Sequence, residues 1–383
     1  MKIKPVLYGD GLHDDQPAIQ AMLDSGKRVV CLPYPKNNYL VGTTLRIHSE
    51  QTLALPETAV IRLADGANVP ILRNADGEHG DRNIAIFGGI WDLNNLGQDG
   101  NQAVRRQAHE DESIYTSGAD YSGTCNETGN TRNTFPVCKY YSMNGLILEN
   151  ICGLTVANLT FRDPVSYCVM MGRCSDFQIE NITFDFNDGN PLPANMDGVH
   201  LEGGCHHGII RRLRGTVYDD MVALNADELI RGDISDILID DLYARHAHSA
   251  VRLLASGHCV HDICISNIRG SYFTYTVGFT KYFKMGNGIN GRFENITIRD
   301  CEVTKSDILP WFRDVTYPVF YFQTETEVHG LYLQNIHRTL CGRAAKLFGM
   351  ENGAFVRDVH LENVRGDMPE DAENIAEFAA AAQ

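Results

Sequence analysis

From residue 156 onward, a four-residue pattern of apolar, any, polar, apolar returns eight times. It reads Val156-Ala157-Asn158-Leu159, Ile179-Glu180-Asn181-Ile182, Ile210-Arg211-Arg212-Leu213, Ile239-Asp240-Asp241-Leu242, Ile265-Ser266-Asn267-Ile268, Phe293-Glu294-Asn295-Ile296, Leu333-Gln334-Asn335-Ile336 and Leu361-Glu362-Asn363-Val364. The intervals are 23, 31, 29, 26, 28, 40 and 28 residues, with no helical pattern between the copies. Short strands at an irregular period of this size indicate a solenoid whose turns stack sideways and differ by loop insertions. The expected fold is therefore all-β, a single-stranded right-handed parallel β-helix. Asn tolerates the left-handed backbone region, so Asn at the polar position suits bends stacked into side-chain ladders. Asn158-Leu-Thr, Asn181-Ile-Thr and Asn295-Ile-Thr are also glycosylation sequons, but with no apolar leader in view the ladder reading is preferred.

The rest of the chain fits round this array as one domain, 1–383. In the opening, 1–28, Asp15 is placed to cap a short helix with Pro17 in its first turn. Ile19, Met22 and Leu23 give that helix an apolar stripe, so it serves as the N-terminal cap of the solenoid. Segments such as Arg28–Pro33, Thr44–Ile47 and Ile84–Gly89 read as strands bounded by turn residues. The polar stretch 92–143 is a long excursion, read as a lid or a subunit contact, the latter making a homo-oligomer, or else as a plainly mobile segment. The tail, 367–383, carries Ile375 and Phe378 and is expected to cover the other end.

A net charge of -16 and a pI near 5.3 argue against a nucleic-acid-binding face. No run reaches the length of a membrane span, and Met1–Pro5 lacks the apolar core of a leader, so a soluble cytoplasmic protein is expected. The 11 cysteines include no C-x-x-C pair and read as reduced thiols, with Cys125 and Cys138 the one pair to watch. Cys205-His206-His207 cannot ligate one ion, because neighbours in a strand alternate faces. Asp185, Asp188 and Asn190 share only the composition of a calcium loop and read as a turn. No metal or cofactor is implied.

The chemistry concentrates between residues 195 and 225. Asp197 in Asn195-Met196-Asp197-Gly198-Val199-His200 precedes Asp219 and Asp220 by 22 and 23 residues, an interval of one solenoid turn. Stacked turns bring the three acids to one face, about 4.8 Å apart along the axis. Convergent carboxylates are what acid/base cleavage of a glycosidic bond requires. Adjacent Asp219 and Asp220 would repel, raising one pKa as an acid catalyst needs.

Asn195–His200 followed by Asp219-Asp220-Met221-Val222-Ala223-Leu224 resembles the Asn-Thr-Asp-Gly and Gly-Asp-Asp segments of family-28 glycoside hydrolases, the polygalacturonases. Gly9-Asp10-Gly11 through Gln20 is similar to the opening of pectin-lyase-like β-helix proteins. His248-Ser249-Ala250-Val251-Arg252-Leu253 stands where that family has its His-Gly segment, and Tyr282-Phe283-Lys284 where it has Arg-Ile-Lys. The resemblance implies Asp219 as general acid and Asp197 and Asp220 as activators of water. It also implies His248 as support for the acid, Asn195, Tyr282 and Lys284 as substrate-binding residues, and inversion at the sugar. His246 competes with His248, and Lys281 with Lys284. Ser249 replaces a Gly, and Tyr282 replaces the Arg that would grip a uronate carboxylate. The expected function is hydrolysis of a pectin-like or related oligosaccharide from a chain end. The alternatives are a lyase or glycan-processing transferase on the same fold and a non-catalytic glycan-binding β-helix of the phage-tail or adhesin kind.

Overall fold

The computed structural model describes residues 5–98, 144–186, 196–282, 285–308, 317–340 and 343–382. Among these, 23 strands join in one sheet, and each strand pairs in parallel with the strand one turn away. The molecule is a right-handed parallel β-helix.

One face of the coil positions the candidate site. Its successive rungs include Val169–Gly172, Val199–Glu202, Asp220–Asn225, the ends of Ile234–Leu254 and Cys259–Thr280, and Phe320–Phe322. Their register stacks like on like. Val169, Val199, Val222, Val251, Val277 and Phe320 form one column, and Met171, Leu201, Leu224, Leu253, Phe279 and Phe322 form the next. Both columns point into the coil and are buried, at about 1.5–3 kcal/mol per large side chain. Alternation turns the residues between them outward, in the row Met170, His200, Ala223, Arg252, Gly278 and Tyr321.

The bends are where the repeat does its work. All eight polar positions of the pattern have positive φ, from 51° at Asn363 to 63° at Asn158. Asn181 Nδ2 donates to Asn158 Oδ1 at 2.6 Å, and Asn363 Nδ2 to Asn335 Oδ1 at 3.0 Å, so each amide hands a hydrogen bond to the turn before it. One copy belongs to a different bend. Asn295 stacks on Asp262 (3.0 Å), whereas the rung partner of Asn267 and Asn335 is Asp300, whose Oδ1 accepts from Asn335 Nδ2 at 2.8 Å. Each turn has two left-handed corners, and Phe293-Glu294-Asn295-Ile296 surrounds the earlier one. The apparent interval of 40 residues therefore mixes two ladders, and the true separation of Asp300 from Asn335 is 35.

Helix α1 (Gln16–Leu23) buries Ala18, Ile19 and Leu23 against the first turn. Asp15 precedes it but makes no side-chain cap. Its buried carboxylate instead accepts from the backbone N–H groups of Tyr8, Gly9 and Leu40, pinning the opening loop to a strand. Gln20 of α1 accepts from Arg46 N (2.8 Å) and donates to Arg46 O (3.1 Å), completing the open edge of the first rung of the site face. Helix α2 (Asp371–Ala381) repeats the device at the other end, where Asn374 accepts from Phe348 N (2.7 Å) and donates to Phe348 O (3.0 Å). Phe378 stacks on Phe348 and Phe322, and Arg338 and Asp371 form a buried ion pair beneath the helix. The stretch 99–143, Cys125 and Cys138 lie outside the described residues.

The bend ladder makes a stability prediction. Asn335→Ala should cost about 1–2 kcal/mol in urea unfolding, the penalty of a Cβ residue in the left-handed region, while Asn335→Gly should cost less. Equal losses would mean that the side-chain ladder, and not the backbone, sets the stability of the corner.

Candidate active site

The register of the site face collects the three aspartates. Gly198 N donates to Asp220 O at 2.9 Å, and Asp220 N donates to Asp197 Oδ1 at 3.2 Å, so neighbouring turns are stitched through the acids themselves. Asp197 and Asp220 are fully buried, and Asp219 keeps 4% exposure. Placing three carboxylates together in a dry site is costly unless cations or protons compensate.

Two of the three acids have a basic partner, an arginine for Asp220 and a histidine for Asp197. Asp220 Oδ2 meets Arg252 Nε at 2.8 Å, and its Oδ1 accepts from Ser249 Oγ and from Tyr275 Oη at 3.3 Å. Gly278 lets the Tyr275 ring lie against the sheet, since a Cβ there would fall 2.8 Å from it. Burial raises the Asp220 carboxyl, Arg252 opposes, and the result is about 6. Asp197 Oδ2 meets His200 Nδ1 at 2.6 Å.

Among the described residues, the basic group paired with Asp219 is His248, with Nδ1 3.3 Å from Oδ1. Burial, aided by Arg252 and Lys305, pushes His248 down to about 3, so at neutral pH the ring is uncharged. Burial first, then the charges of Asp220 and Asp197, holds the Asp219 carboxyl far above the carboxylate range, with Arg252 opposing. These surroundings favour the protonated form of Asp219. A buried carboxylic acid beside two carboxylates is the arrangement expected of a proton donor.

Round this centre stand an Arg, a Lys and several tyrosines. Arg252 lies over the Tyr282 ring, 5.7 Å from its centroid, so a guanidinium from the neighbouring rung occupies the region where the sequence has Tyr in place of Arg. Lys305 Nζ donates to the backbone carbonyls of Thr274 and Tyr317 at 2.6 and 2.9 Å. Tyr275, Tyr317 and Tyr321 form an aromatic wall, Tyr317 and Tyr321 with centroids 4.3 Å apart. Such rings suit the apolar face of a sugar.

The structure thus joins Asp197, Asp219, Asp220 and His248 in one cluster and sets Tyr282 beside it. Asn195 and Lys284 lie outside the described residues, as do Asp188 and Asn190. His246 is directed away, its Nδ1 2.9 Å from Ser306 Oγ. Lys281 is buried and committed to Glu325 and Asn287. Asp185 pairs with Arg162, and His207 with Asp236.

Arg252, Ser249, Tyr275 and His200 complete the site without having been singled out from the sequence for a role in it. Alternation was the available signal for two of them: Val251 and Leu253 point inward, as do Val199 and Leu201, which turns Arg252 and His200 outward. Among the described residues, two groups of acids and histidines fall within 4.8 Å, Asp219–Asp220–His248 and His200–Glu202–Glu228.

No family model matches the chain. It is 26% identical over 192 residues, 49% of its length, to the plasmin and fibronectin-binding protein A of Streptococcus pneumoniae, and the match spans 24% of that protein. Among solved structures it resembles the endo-xylogalacturonan hydrolase of Aspergillus tubingensis, with a TM-score of 0.60 and 14% identity over 96% of this chain and 92% of that one. It also resembles a surface adhesin of Streptococcus pneumoniae (TM-score 0.54, 14% identity, 93% and 80% covered) and the polygalacturonase of Erwinia carotovora (0.52, 14%, 93% and 94%). These likenesses bear on the fold, which polygalacturonases and an adhesin share.

The charge arrangement predicts opposite responses to two neutralising substitutions. Asp219→Asn should leave the melting temperature at pH 7 unchanged or higher, because burial and two like charges already disfavour an ionised Asp219. Arg252→Met should destabilise by about 3–5 kcal/mol, by stranding Asp220 without its cation. Thermal melts of both variants check this, and a destabilised Asp219→Asn would contradict the charge accounting.

Proposed function

We propose that this protein is a glycoside hydrolase of the polygalacturonase type, acting on a pectin-like or related oligosaccharide. The observation that carries the reading is the unequal surroundings of three stacked aspartates: Asp220 meets Arg252, Asp197 meets His200, and Asp219, among the described residues, meets the neutral ring of His248. In this mechanism Asp219 gives its proton to the glycosidic oxygen as the bond to the anomeric carbon breaks. A water held by Asp197 and Asp220 adds to that carbon from the opposite face, and its proton passes to their carboxylates. Attack from the opposite face inverts the configuration. Neutral His248 keeps Asp219 in place without supplying a charge that would strip its proton. Asn195 and Lys284 would contact the substrate as the family resemblance implies.

The depth of the cluster supports attack at a chain end, since an internal sugar must pass through an open groove. The guanidinium of Arg252 supports a substrate that carries carboxylates. The likeness to a streptococcal surface adhesin favours a second reading, a glycan-binding β-helix without catalysis. That reading gives no use to a buried protonated acid.

Purified protein should release reducing sugar from pectic oligosaccharides without forming unsaturated products, and single sugars should dominate the earliest time points. Asp219→Asn, Asp197→Asn and Asp220→Asn should each lower turnover by about 10²–10⁴-fold. Retained turnover in all three would eliminate the hydrolase reading, and an unsaturated product would point to a lyase.

The pH profile follows from the same charges. Activity should rise with pH through about 6, as Asp220 ionises, and fall again where Asp219 loses its proton.

Arg252→Lys keeps a cation near Asp220 and removes the planar fork. It should lower the kcat/KM ratio of matched acidic to neutral oligosaccharides about tenfold, the worth of roughly 1.4 kcal/mol. An unchanged ratio would exclude Arg252 from carboxylate recognition.

A further inference from the structure

His200 is fully buried on the row that also carries Arg252, with Ala223 between them. Both of its ring nitrogens face carboxylates. Nδ1 is 2.6 Å from Asp197 Oδ2, while Nε2 is 3.3 Å from Glu202 Oε1, 3.4 Å from Glu228 Oε2 and 3.4 Å from the Asn225 amide nitrogen, whose nearer partner is Glu228. An imidazole with acceptors on both sides satisfies them only by carrying two protons, and hence a positive charge. We propose that His200 is a fixed imidazolium that positions Asp197 as the proton acceptor for the attacking water, a role that rests on the hydrolytic reading above.

The surroundings are built for that charge. The His200 ring is stacked on Tyr167, centroids 3.8 Å apart and planes 8° from parallel, which fixes its tilt. Tyr167 Oη donates to Glu228 Oε1 at 3.2 Å, and Asn225 Nδ2 donates to the other oxygen. Glu202 Oε2 accepts from the backbone of Leu229 and Ile230 at 2.8 and 3.0 Å, so the loop after Asn225 locks both glutamates against the ring. Burial opposes the charge on His200, but Asp197, Glu202 and Glu228 outweigh it and raise its pKa well above the ordinary value. The groups that face this cluster from other turns are Asp220, which the His200 charge stabilises as an anion, and Arg252, which acts on Glu228. Cys168 lies beside Asp197 and is kept neutral by burial.

Asp197 is left with two donors, the imidazolium at Oδ2 and the Asp220 N–H at Oδ1. Both contacts require it to be an acceptor. His200 thereby directs the proton of the trio to Asp219, and by holding Oδ2 it sets the direction of the remaining lone pairs towards the water.

Two measurements test this. In ¹⁵N-histidine spectra of the whole protein, with His200→Gln identifying the signals, both ring nitrogens of His200 should stay protonated from about pH 6 to pH 9. A neutral ring in that range, or ring signals that move when a divalent metal is removed, would overturn the proposal whatever the protein's activity. In the kinetic arm, His200→Gln should lower kcat more than it changes KM and move the acid limb of the pH profile upward by about one unit, because a cation beside two carboxylates has been lost. Glu228→Gln, which keeps the packing and removes a negative charge near the same carboxylates, should move the limb the opposite way, downward, by less. An acid limb unmoved in both variants would reduce His200 to packing. Asp219→Asn separates the two ideas: if it retains turnover the hydrolytic reading fails, while the spectra still decide the charge.

Discussion

Parallel in-register stacking is the constraint from which everything else in this molecule follows. It places each residue over its counterpart one turn away at a spacing of about 4.8 Å. For Val, Leu and Phe this makes a continuous core, and for Asn it makes a ladder of amides. For aspartates it makes a concentration of like charge that must be answered locally. Alternation supplies the answer, because the outward row beside the acids carries His200 and Arg252 with the small Ala223 between them. Among the described residues, Asp220 then meets Arg252 and Asp197 meets His200, while the surroundings of Asp219 favour its protonated form. In the proposed mechanism, proton donor and acceptors are thus distinguished by which acid lacks a charged partner.

The same stacking leaves two open ends, each offering unpaired backbone groups for association with another chain. On the site face both ends are closed in one way, by a helix presenting a carboxamide that imitates a strand. Gln20 does this at Arg46, and Asn374 at Phe348. An amide carries one donor and one acceptor at about the spacing of a peptide group, which is why Gln and Asn serve here where a charged side chain would satisfy only half of the edge. The rigidity of the ends bears on the site, since the register of each rung depends on that of its neighbours.

Much of this was legible in the sequence, for identifiable reasons. The bends announced themselves because a left-handed corner restricts composition to Asn, Asp and a few others, and a restricted position recurs visibly. The same restriction concealed the register, because both corners of a turn accept Asn, so Asn295 passed for a member of the wrong ladder. The trio was visible because its interval equals one turn. Its partners were not, because an Arg or His beside a hydrophobic strand looks alike whether it faces solvent or a buried acid. Strand parity would have placed Arg252 and His200 outward, but nothing in the chain announces that the loop carrying Glu228 folds back onto His200. Asp15 had the position of a helix cap, yet three backbone N–H groups in the opening loop compete for its carboxylate and win.

The β-helix itself leaves function open, since hydrolases and an adhesin share it. What separates those functions physically is how buried charge is handled. A glycan-binding surface gains from exposed polar groups and aromatic rings and has no reason to bury three acids, each of which lowers stability unless neutralised. Here the burial is nearly complete and the neutralisation deliberately uneven. Arg252 and His200 serve Asp220 and Asp197, while the ring next to Asp219 is held neutral by burial and by the cations Arg252 and Lys305. A cation at His248 would make the cluster more stable and would draw the proton off Asp219. That the neighbour of Asp219 is a histidine kept uncharged, and not an arginine, is the feature that stability alone does not explain and that the proposed proton transfer would use.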